Sequence, residues 1–284
     1  MRVLVLGASG MIGSAMVRVL SESKALEVFG SLRNENAKQF FTPLVSEKLF
    51  SGFDMDNHDS LVRIFSLVQP QLVINCIGLT KHHKESEDHA LALPINALLP
   101  HRIANLCSVA RARFIQISTD CVFSGLKGSY NEDDPADALD VYGKSKFLGE
   151  VNYPHAVTLR TSTIGHEFHS KHGLLEWFLS QQGHCKGFSR AIFSGLPSTV
   201  FAQVVRDVVL PRPDLAGLYH VGAAAVNKFE LLTQIAKVYG KKIEISNDET
   251  FIIDRSLDCG RFSQATGYVA PAWPELIQSM YVLR

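Results

Sequence analysis

The chain has no excess of charge of either sign: 28 lysines and arginines stand against 28 aspartates and glutamates. Without a net field it has no general means of gathering a polyanion such as DNA, so nucleic acid is not expected as a partner and only local basic pockets remain. No apolar run reaches the ~18–20 residues needed to cross a bilayer. The opening Met1-Arg-Val-Leu-Val-Leu6 is too short for a signal-peptide core and runs straight into a glycine motif. It reads as a buried strand in a soluble, cytoplasmic protein with no membrane partner. Five cysteines (Cys76, Cys107, Cys121, Cys185, Cys259) are odd in number and show no Cys-x-x-Cys spacing. That excludes a disulfide framework or a zinc site and points to reduced thiols. Internal repeats, low-complexity runs and flexible linkers are also lacking.

What is present is enough for a sizeable core: 284 residues, 46% of them hydrophobic and 20% charged. Arg2-Val-Leu-Val-Leu6 is a short apolar run, and helical spacing begins at Met11 and continues to Leu20. Leu26–Leu32, Leu72–Ile77, Arg113–Ser118 and Val157–Thr161 read as further strands, with helical stretches near 58–69 and 91–111. Apolar strands alternating with helices imply a parallel sheet covered on both faces. The expected fold is α/β, a Rossmann-type doubly wound parallel sheet over residues 1–164. From about Gly165 the regularity loosens: helices are expected at Leu174–Gln181, Ala202–Leu210 and Lys228–Tyr239, and a strand at Gly217–Val221. Residues 165–284 are expected mainly to form a small α/β substrate lobe, with some segments returning to the first domain.

Gly7, Gly10 and Gly13 follow a strand and open a helix. The first suits a tight turn, the second a close approach of backbone to pyrophosphate, and the third tight helix packing. Ser9, Met11 and Ile12 share that turn, whose N–H groups would face the phosphates. An acidic residue at the end of the second strand would hold a ribose 2′-hydroxyl, but this chain has Gly30-Ser-Leu-Arg33-Asn34 there. Ser31 and Arg33 suit a 2′-phosphate, so NADPH is expected ahead of NADH. Asp54 and Met55 are expected near the adenine. Cys76, Ile77 and Gly78 are expected along the cofactor at the end of a strand, with Thr161 ending another.

Tyr142 and Lys146 lie four residues apart, which on a helix puts both on one face with Cβ atoms ~5–6 Å apart. An ammonium there is expected to lower the phenol pKa and prepare it for proton transfer. Ser118-Thr119-Asp120 ends an apolar strand, bringing a hydroxyl to the same edge. Together with the three glycines, these residues resemble an extended short-chain dehydrogenase/reductase over most of the chain. Ser118-Thr-Asp-Cys-Val-Phe-Ser-Gly125 and Asp140-Val-Tyr-Gly-Lys-Ser-Lys146 are similar to the dTDP-4-dehydrorhamnose reductase branch. Leu159-Arg-Thr-Ser162 and Asp254-Arg-Ser-Leu-Asp258 give lesser support.

The resemblance implies NADPH-dependent reduction of the C4 keto group of a nucleotide-linked 4-keto-6-deoxysugar. In that reaction Tyr142 protonates the developing alkoxide, Thr119 donates a hydrogen bond to it, and Lys146 tunes Tyr142 and holds the nicotinamide ribose. Asp120 orients this network or its own loop, and Asn96 supports the surroundings of Lys146. Relatives are often dimers, so a homodimer is a further expectation.

Cys121 departs from that branch, where an aromatic residue is usual. The position resembles instead the cysteine of GDP-fucose synthase, an epimerase-reductase, with His166 and His169 available as its companion. A third reading, from another class, is a non-catalytic NADP-binding regulatory subunit, since the regulatory subunit of methionine adenosyltransferase resembles the same branch. Thr80 and Lys81, in a polar stretch with His82 and His83, are expected to face substrate. No metal is expected there, because adjacent histidines diverge and no third ligand follows at a useful spacing. Arg190 is a candidate for a substrate diphosphate, Phe188 for a base, and Trp273 for a wall of the pocket.

Overall fold

Side chains of a strand alternate between the two faces of its sheet. β1 (Arg2–Leu6) obeys this rule with apolar residues on both sides: Val3 and Val5 join one hydrophobic cluster, Leu4 and Leu6 the other. A strand buried on both faces needs helices above and below, which only a sheet with crossover connections supplies. The computed structural model describes residues 1–54, 57–80, 84–168 and 172–282 and shows that arrangement.

After β1 come α1 (Met11–Ser21), β2 (Glu27–Ser31), α2 (Pro43–Ser46), β3 (Leu49–Phe50), α3 (His58–Val68) and β4 (Leu72–Asn75). They are followed by α4 (His89–Ala92), α5 (Leu99–Ala110), β5 (Arg113–Thr119), α6 (Val141–Leu148) and β6 (Ala156–Thr161). The remainder comprises β7 (Thr163–Ile164), α7 (Leu174–Ser180), β8 (His184–Phe188), β9 (Ala191–Phe193), β10 (Leu196–Pro197) and α8 (Ser198–Val204). β11 (Gly217–His220), β12 (Val226–Asn227), α9 (Lys228–Val238), β13 (Glu244–Asp248), β14 (Ile253–Asp254), α10 (Gly260–Thr266) and α11 (Trp273–Val282) complete the described strands and α-helices.

The main sheet is parallel throughout, in the order β3-β2-β1-β4-β5-β6-β11. The expected doubly wound sheet is therefore present. Its strand order reverses between β1 and β4, and in such sheets the ligand crevice opens at the carboxyl ends of the strands at that point. α3 and α5 contribute to one cluster, with Leu61, Ile64 and Ile103 against Leu4, Val73 and Phe114. α1, α8 and α11 contribute to the other, with Met16, Phe201 and Ile277.

The expected boundaries shift in two informative places. β4 stops at Asn75 because the Asn75 side chain, and not a neighbouring strand, accepts the Ile77 N–H at 3.1 Å. Its amide also donates to Gln116 Oε1 on β5 at 2.9 Å, a buried polar rung at the carboxyl edge. The single helix expected near 91–111 is divided into α4, a π-helical turn over Leu93–Leu98, and α5. Pro94 and Pro100 lack the N–H that an α-helical ladder requires, which fits a local change of helical pitch.

Beyond residue 164 the chain is shared between two places. β11 extends the main sheet beside β6, and α8 packs on α1. The other strands form small sheets, β7-β10, β12-β9-β14 and β8-β13, with α9 against the last two. No helix of the described residues is long and apolar enough to cross a membrane.

Candidate active site

The glycine turn after β1 has the form its spacing predicts. Gly7 holds φ +81°, a region that side chains disfavour, and a Cβ there would also press on the backbone of Cys76 at 3.1 Å. A Cβ at Gly13 would fall 2.1 Å from the Gly7 carbonyl oxygen, so only glycine lets α1 start this close to the turn. Gly10 caps α1 without any side-chain hydrogen bond, and no acidic residue lies in the first turn. The leading N–H groups of an α-helix have no intrahelical acceptor and carry a partial positive charge. An uncapped helix start at the switch point of the sheet is thus a cradle with the chemistry of a pyrophosphate site.

The residues expected around this cradle divide into those that face the crevice and those that build it. Ser31 belongs to the second group, which corrects the expectation that it binds a 2′-phosphate. It is buried, and its Oγ accepts the Gly7 N–H at 3.1 Å while its carbonyl accepts the Ala8 N–H at 2.8 Å, so it secures the turn itself. Arg33, two residues beyond, is exposed and has no ion-pair partner among the described residues. Asp54 is also exposed, whereas Met55 lies outside the described residues. Asn96, expected to support the surroundings of Lys146 beside the cofactor, is likewise fixed within the protein. Its Oδ1 accepts the Leu79 N–H at 2.9 Å and its Nδ2 donates to the Leu79 carbonyl and to Ser145 Oγ, both at 3.1 Å. With every polar atom engaged and the side chain buried, it joins the loop after β4 to α6.

Across the crevice stand Thr119, Tyr142 and Lys146. Thr119 ends β5, and its Oγ1 accepts the Cys121 N–H and donates to Asp120 Oδ1, each at 3.1 Å. The Tyr142 phenol lies close enough to this hydroxyl to feel its influence. α6 begins beside it because Asp140 caps the helix, its carboxylate accepting the Gly143 N–H at 2.6 Å. Lys146, one turn along, donates to the Ile117 carbonyl at 2.9 Å, and a Cβ on Gly78 would lie 3.8 Å from its Nζ. The structure thus brings Gly7, Cys76, Ile77, Gly78, Thr119, Tyr142 and Lys146 to one edge. Thr161 ends β6 on that edge, buried, its hydroxyl donating to the Ser162 carbonyl.

The electrostatics differ from expectation. Burial pushes the Tyr142 phenol well above its ordinary value; the nearby Cys121 and Asp120 add to this, and the Thr119 hydroxyl opposes it. The expected lowering by Lys146 is outweighed by this burial, and the ammonium itself donates to the Ile117 carbonyl. Burial lowers Lys146 itself to about 8, against the opposing influence of Glu150 and then Cys76. Burial pushes the Cys76 thiol up to about 12. The phenol is therefore held protonated and the amine close to its titration point. That arrangement suits proton donation to a carbonyl oxygen that gains negative charge.

Other expected residues are placed more loosely. Thr80 is exposed at the end of the loop after β4, while Lys81, His82 and His83 lie outside the described residues. Arg190 is exposed at the turn between β8 and β9, and Phe188 packs edge-on against Phe251 with centroids 5.4 Å apart. Trp273 is not a pocket wall. It is buried against Phe193 and donates to the Ala224 carbonyl at 2.7 Å, a core residue with its one polar atom satisfied.

Both ring nitrogens of His166 are engaged, with Glu176 Oε1 at 2.7 Å and with the Tyr239 hydroxyl at 3.0 Å, so this ring does not pair with Cys121; His169 lies outside the described residues.

Sequence reasoning missed two features. Arg255 donates from Nε to the Phe123 carbonyl at 2.8 Å and lies with Nη1 3.5 Å from Cys121 Sγ. Its segment is carried there by Tyr130, whose N–H donates to the Ser256 carbonyl and whose carbonyl accepts the Asp258 N–H. The second is an ionic chain behind Lys146. Glu150 accepts from Ser118 Oγ at 2.6 Å and from Nε and Nη2 of Arg160, both at 2.7 Å. The only signal for it was a glutamate four residues beyond Lys146, a spacing common on any helix.

This fold and this site are those of an extended short-chain dehydrogenase/reductase. Residues 1–281 match the family described as RmlD substrate binding domain, and the chain belongs to that family. It is 33% identical over 170 residues to the probable low-salt glycan biosynthesis reductase Agl14 of Haloferax volcanii, a match covering 58% of this chain and about half, 54%, of that relative. It is 25% identical over 229 residues to the dTDP-4-dehydrorhamnose reductase of Aggregatibacter actinomycetemcomitans, covering 77% of this chain and 72% of the relative. The structure superposes on that of a dTDP-4-dehydrorhamnose reductase from Bacillus anthracis, solved in complex with NADP, with a TM-score of 0.81 at 20% identity, over 100% of this chain and 99% of the other.

Proposed function

We propose that this protein is a cytoplasmic, NADPH-dependent reductase of the C4 keto group of a nucleotide-linked 4-keto-6-deoxysugar, serving deoxysugar and polysaccharide precursor synthesis. One observation carries the reading. The uncapped start of α1 and the Thr119–Tyr142–Lys146 trio open on the same carboxyl edge of one sheet, so a dinucleotide and a reducible carbonyl have adjacent places. The names of the relatives, reductases of glycan and rhamnose precursors, support the same chemistry.

The glycine turn with Ser9 and the N–H groups of Met11, Ile12 and Gly13 would hold the pyrophosphate. Arg33 would meet a 2′-phosphate, Asp54 the adenosine end, and Cys76, Ile77, Gly78 and Thr161 the nicotinamide half. Bound NADPH supplies the hydride. Tyr142 donates its proton to the carbonyl oxygen as charge develops there, and Thr119 would steady that oxygen by turning its one O–H from Asp120 toward it. Lys146 places a positive charge beside the phenolate that results. In this reading residues 1–164 hold the cofactor, and residues 165–284 mainly receive the sugar nucleotide, with Arg190 and Thr80 at the mouth; α8 and β11 return to the dinucleotide side. NADH is the cofactor to compare.

The test is oxidation of NADPH, followed by its absorbance, with a panel of dTDP-, GDP- and UDP-linked 4-keto-6-deoxysugars. Turnover is expected with at least one member, and Tyr142→Phe should lower kcat by ~10²–10⁴-fold. A panel without turnover, or a Tyr142→Phe variant as active as the parent, removes the reading.

A further inference from the structure

Lys146 presents an unusual problem for a buried cation. It is 6% exposed, and its one hydrogen-bond acceptor, the Ile117 carbonyl, carries no net charge. No carboxylate is in ion-pair contact with it among the described residues. Burying an ammonium without a counter-charge favours the neutral amine, which would deprive Tyr142 of a cationic neighbour.

The compensating charge sits four residues on, and the two groups are anchored on consecutive residues of β5, Lys146 on the Ile117 carbonyl and Glu150 on the Ser118 hydroxyl. Glu150 follows the end of α6, and its carboxylate is fixed from two strands: Ser118 of β5 donates to Oε1, and Arg160 of β6 grips both oxygens. The Arg160 side chain is 2% exposed and that of Glu150 is 10% exposed. Arg160 is itself held, with its guanidinium over the Phe123 ring at 5.1 Å and Nη1 donating to His220 Nε2 at 3.2 Å. A bidentate arginine keeps a carboxylate ionised and fixes its direction.

We propose that Glu150 is a positioning residue for the Tyr142–Lys146 pair, its clamped carboxylate supplying the counter-charge that keeps the buried ammonium charged. This rests on the reductase reading for its consequence, though not for its geometry. Of the groups around Lys146, Glu150 exerts the largest stabilising influence on the charged form, and Cys76 from the end of β4 a smaller one. Asp120 and Cys121, which follow β5, and Asp140 at the start of α6 act on Tyr142. Glu85, Glu87 and His89, on segments packed against α6, are exposed to solvent.

The experiment has two readouts on the full chain. The first is the rate of reductive methylation of Lys146 against pH, followed by mass spectrometry without substrate. The second is kcat/KM against pH with NADPH and the sugar nucleotide that the panel identifies. In the parent both should change near pH 8. In Glu150→Gln both midpoints should fall by about one pH unit or more, so activity lost at pH 8 is partly regained at pH 6.5. Glu150→Asp, which keeps the charge, should restore the parent profile in part.

If Glu150→Gln does not fold, Ser118→Ala takes its place, since it loosens the carboxylate and leaves the arginine pair; a smaller fall in the same direction is expected. Midpoints unchanged in a folded variant overturn the proposal and leave Glu150 a structural ion pair. A parent chain that turns over no sugar nucleotide defeats the reductase reading alone, because the methylation profile still reports on Lys146.

Discussion

Arg160 and His220 meet through Nη1 and Nε2 at 3.2 Å, and because arginine has only donors, the imidazole must accept at that nitrogen. Its Nδ1 lies 3.0 Å from the Tyr130 carbonyl, which only accepts, so Nδ1 carries the hydrogen and the ring is neutral. Burial first, and the Arg160 charge second, lower His220 from the ordinary 6.5 to about 4.

This fixes an acid-sensitive joint between the sheet and the loop that carries Tyr130. Between pH 6.5 and about 4 the unfolded chain binds a proton at this residue that the folded chain refuses. The contribution is complete above pH 6.5 and disappears as pH falls through that window, by up to about 3 kcal/mol. Urea unfolding at pH 7 and pH 4.5 should show this loss, and His220→Gln should flatten it. An equal pH dependence in the variant would show that other groups dominate.

The cofactor-binding prediction separates two neighbours. Arg33→Ala should weaken NADPH at least tenfold and NADH little, since only a 2′-phosphate needs the guanidinium. Ser31→Ala should weaken both alike, because its Oγ accepts the Gly7 N–H and touches the turn common to both dinucleotides. Fluorescence titration with each cofactor distinguishes the two patterns, and a Ser31→Ala loss confined to NADPH would return Ser31 to the phosphate.

Much of this arrangement was legible in the sequence where a local rule has one outcome. Strand, glycine turn and helix over residues 2–20 form as their spacing requires, and Tyr142 and Lys146 share α6 as four-residue separation dictates. The illegible parts depend on partners distant in the chain. Nothing near Ser31 announces that its hydroxyl belongs to Gly7, 24 residues earlier. Nor does Arg255 reveal that Tyr130 will carry it to Cys121, 134 residues away. The direction of the Tyr142 shift was missed for the same reason: helical spacing places the lysine nearby, but burial of the phenol, set by packing distant in the chain, outweighs it.

Gly13 offers a steric test of the glycine turn. An added methyl group would sit 2.1 Å from the Gly7 oxygen and 3.1 Å from Ala8 Cα, and both are backbone atoms that cannot swing aside. Gly13→Ala should therefore move the start of α1 and abolish measurable dinucleotide binding, whereas Gly10→Ala, whose Cβ would meet nothing closer than 3.6 Å, should leave the helix in place. Thermal shift with and without NADPH reads both effects.

Asn96 joins Leu79 to Ser145 through three hydrogen bonds, all from one buried side chain. Asn96→Ala leaves the Leu79 N–H, the Leu79 carbonyl and Ser145 Oγ to find other partners, although Ser145 still has the Tyr142 carbonyl at 2.9 Å. Each unsatisfied buried group costs ~1–3 kcal/mol, so a total loss of about 2–5 kcal/mol is expected. Function should suffer beyond stability, because Ser145 precedes Lys146 and Leu79 follows Gly78. At a temperature where the variant is fully folded, kcat should fall while NADPH affinity changes less. A variant that loses stability but keeps its kcat would confine Asn96 to holding the fold together.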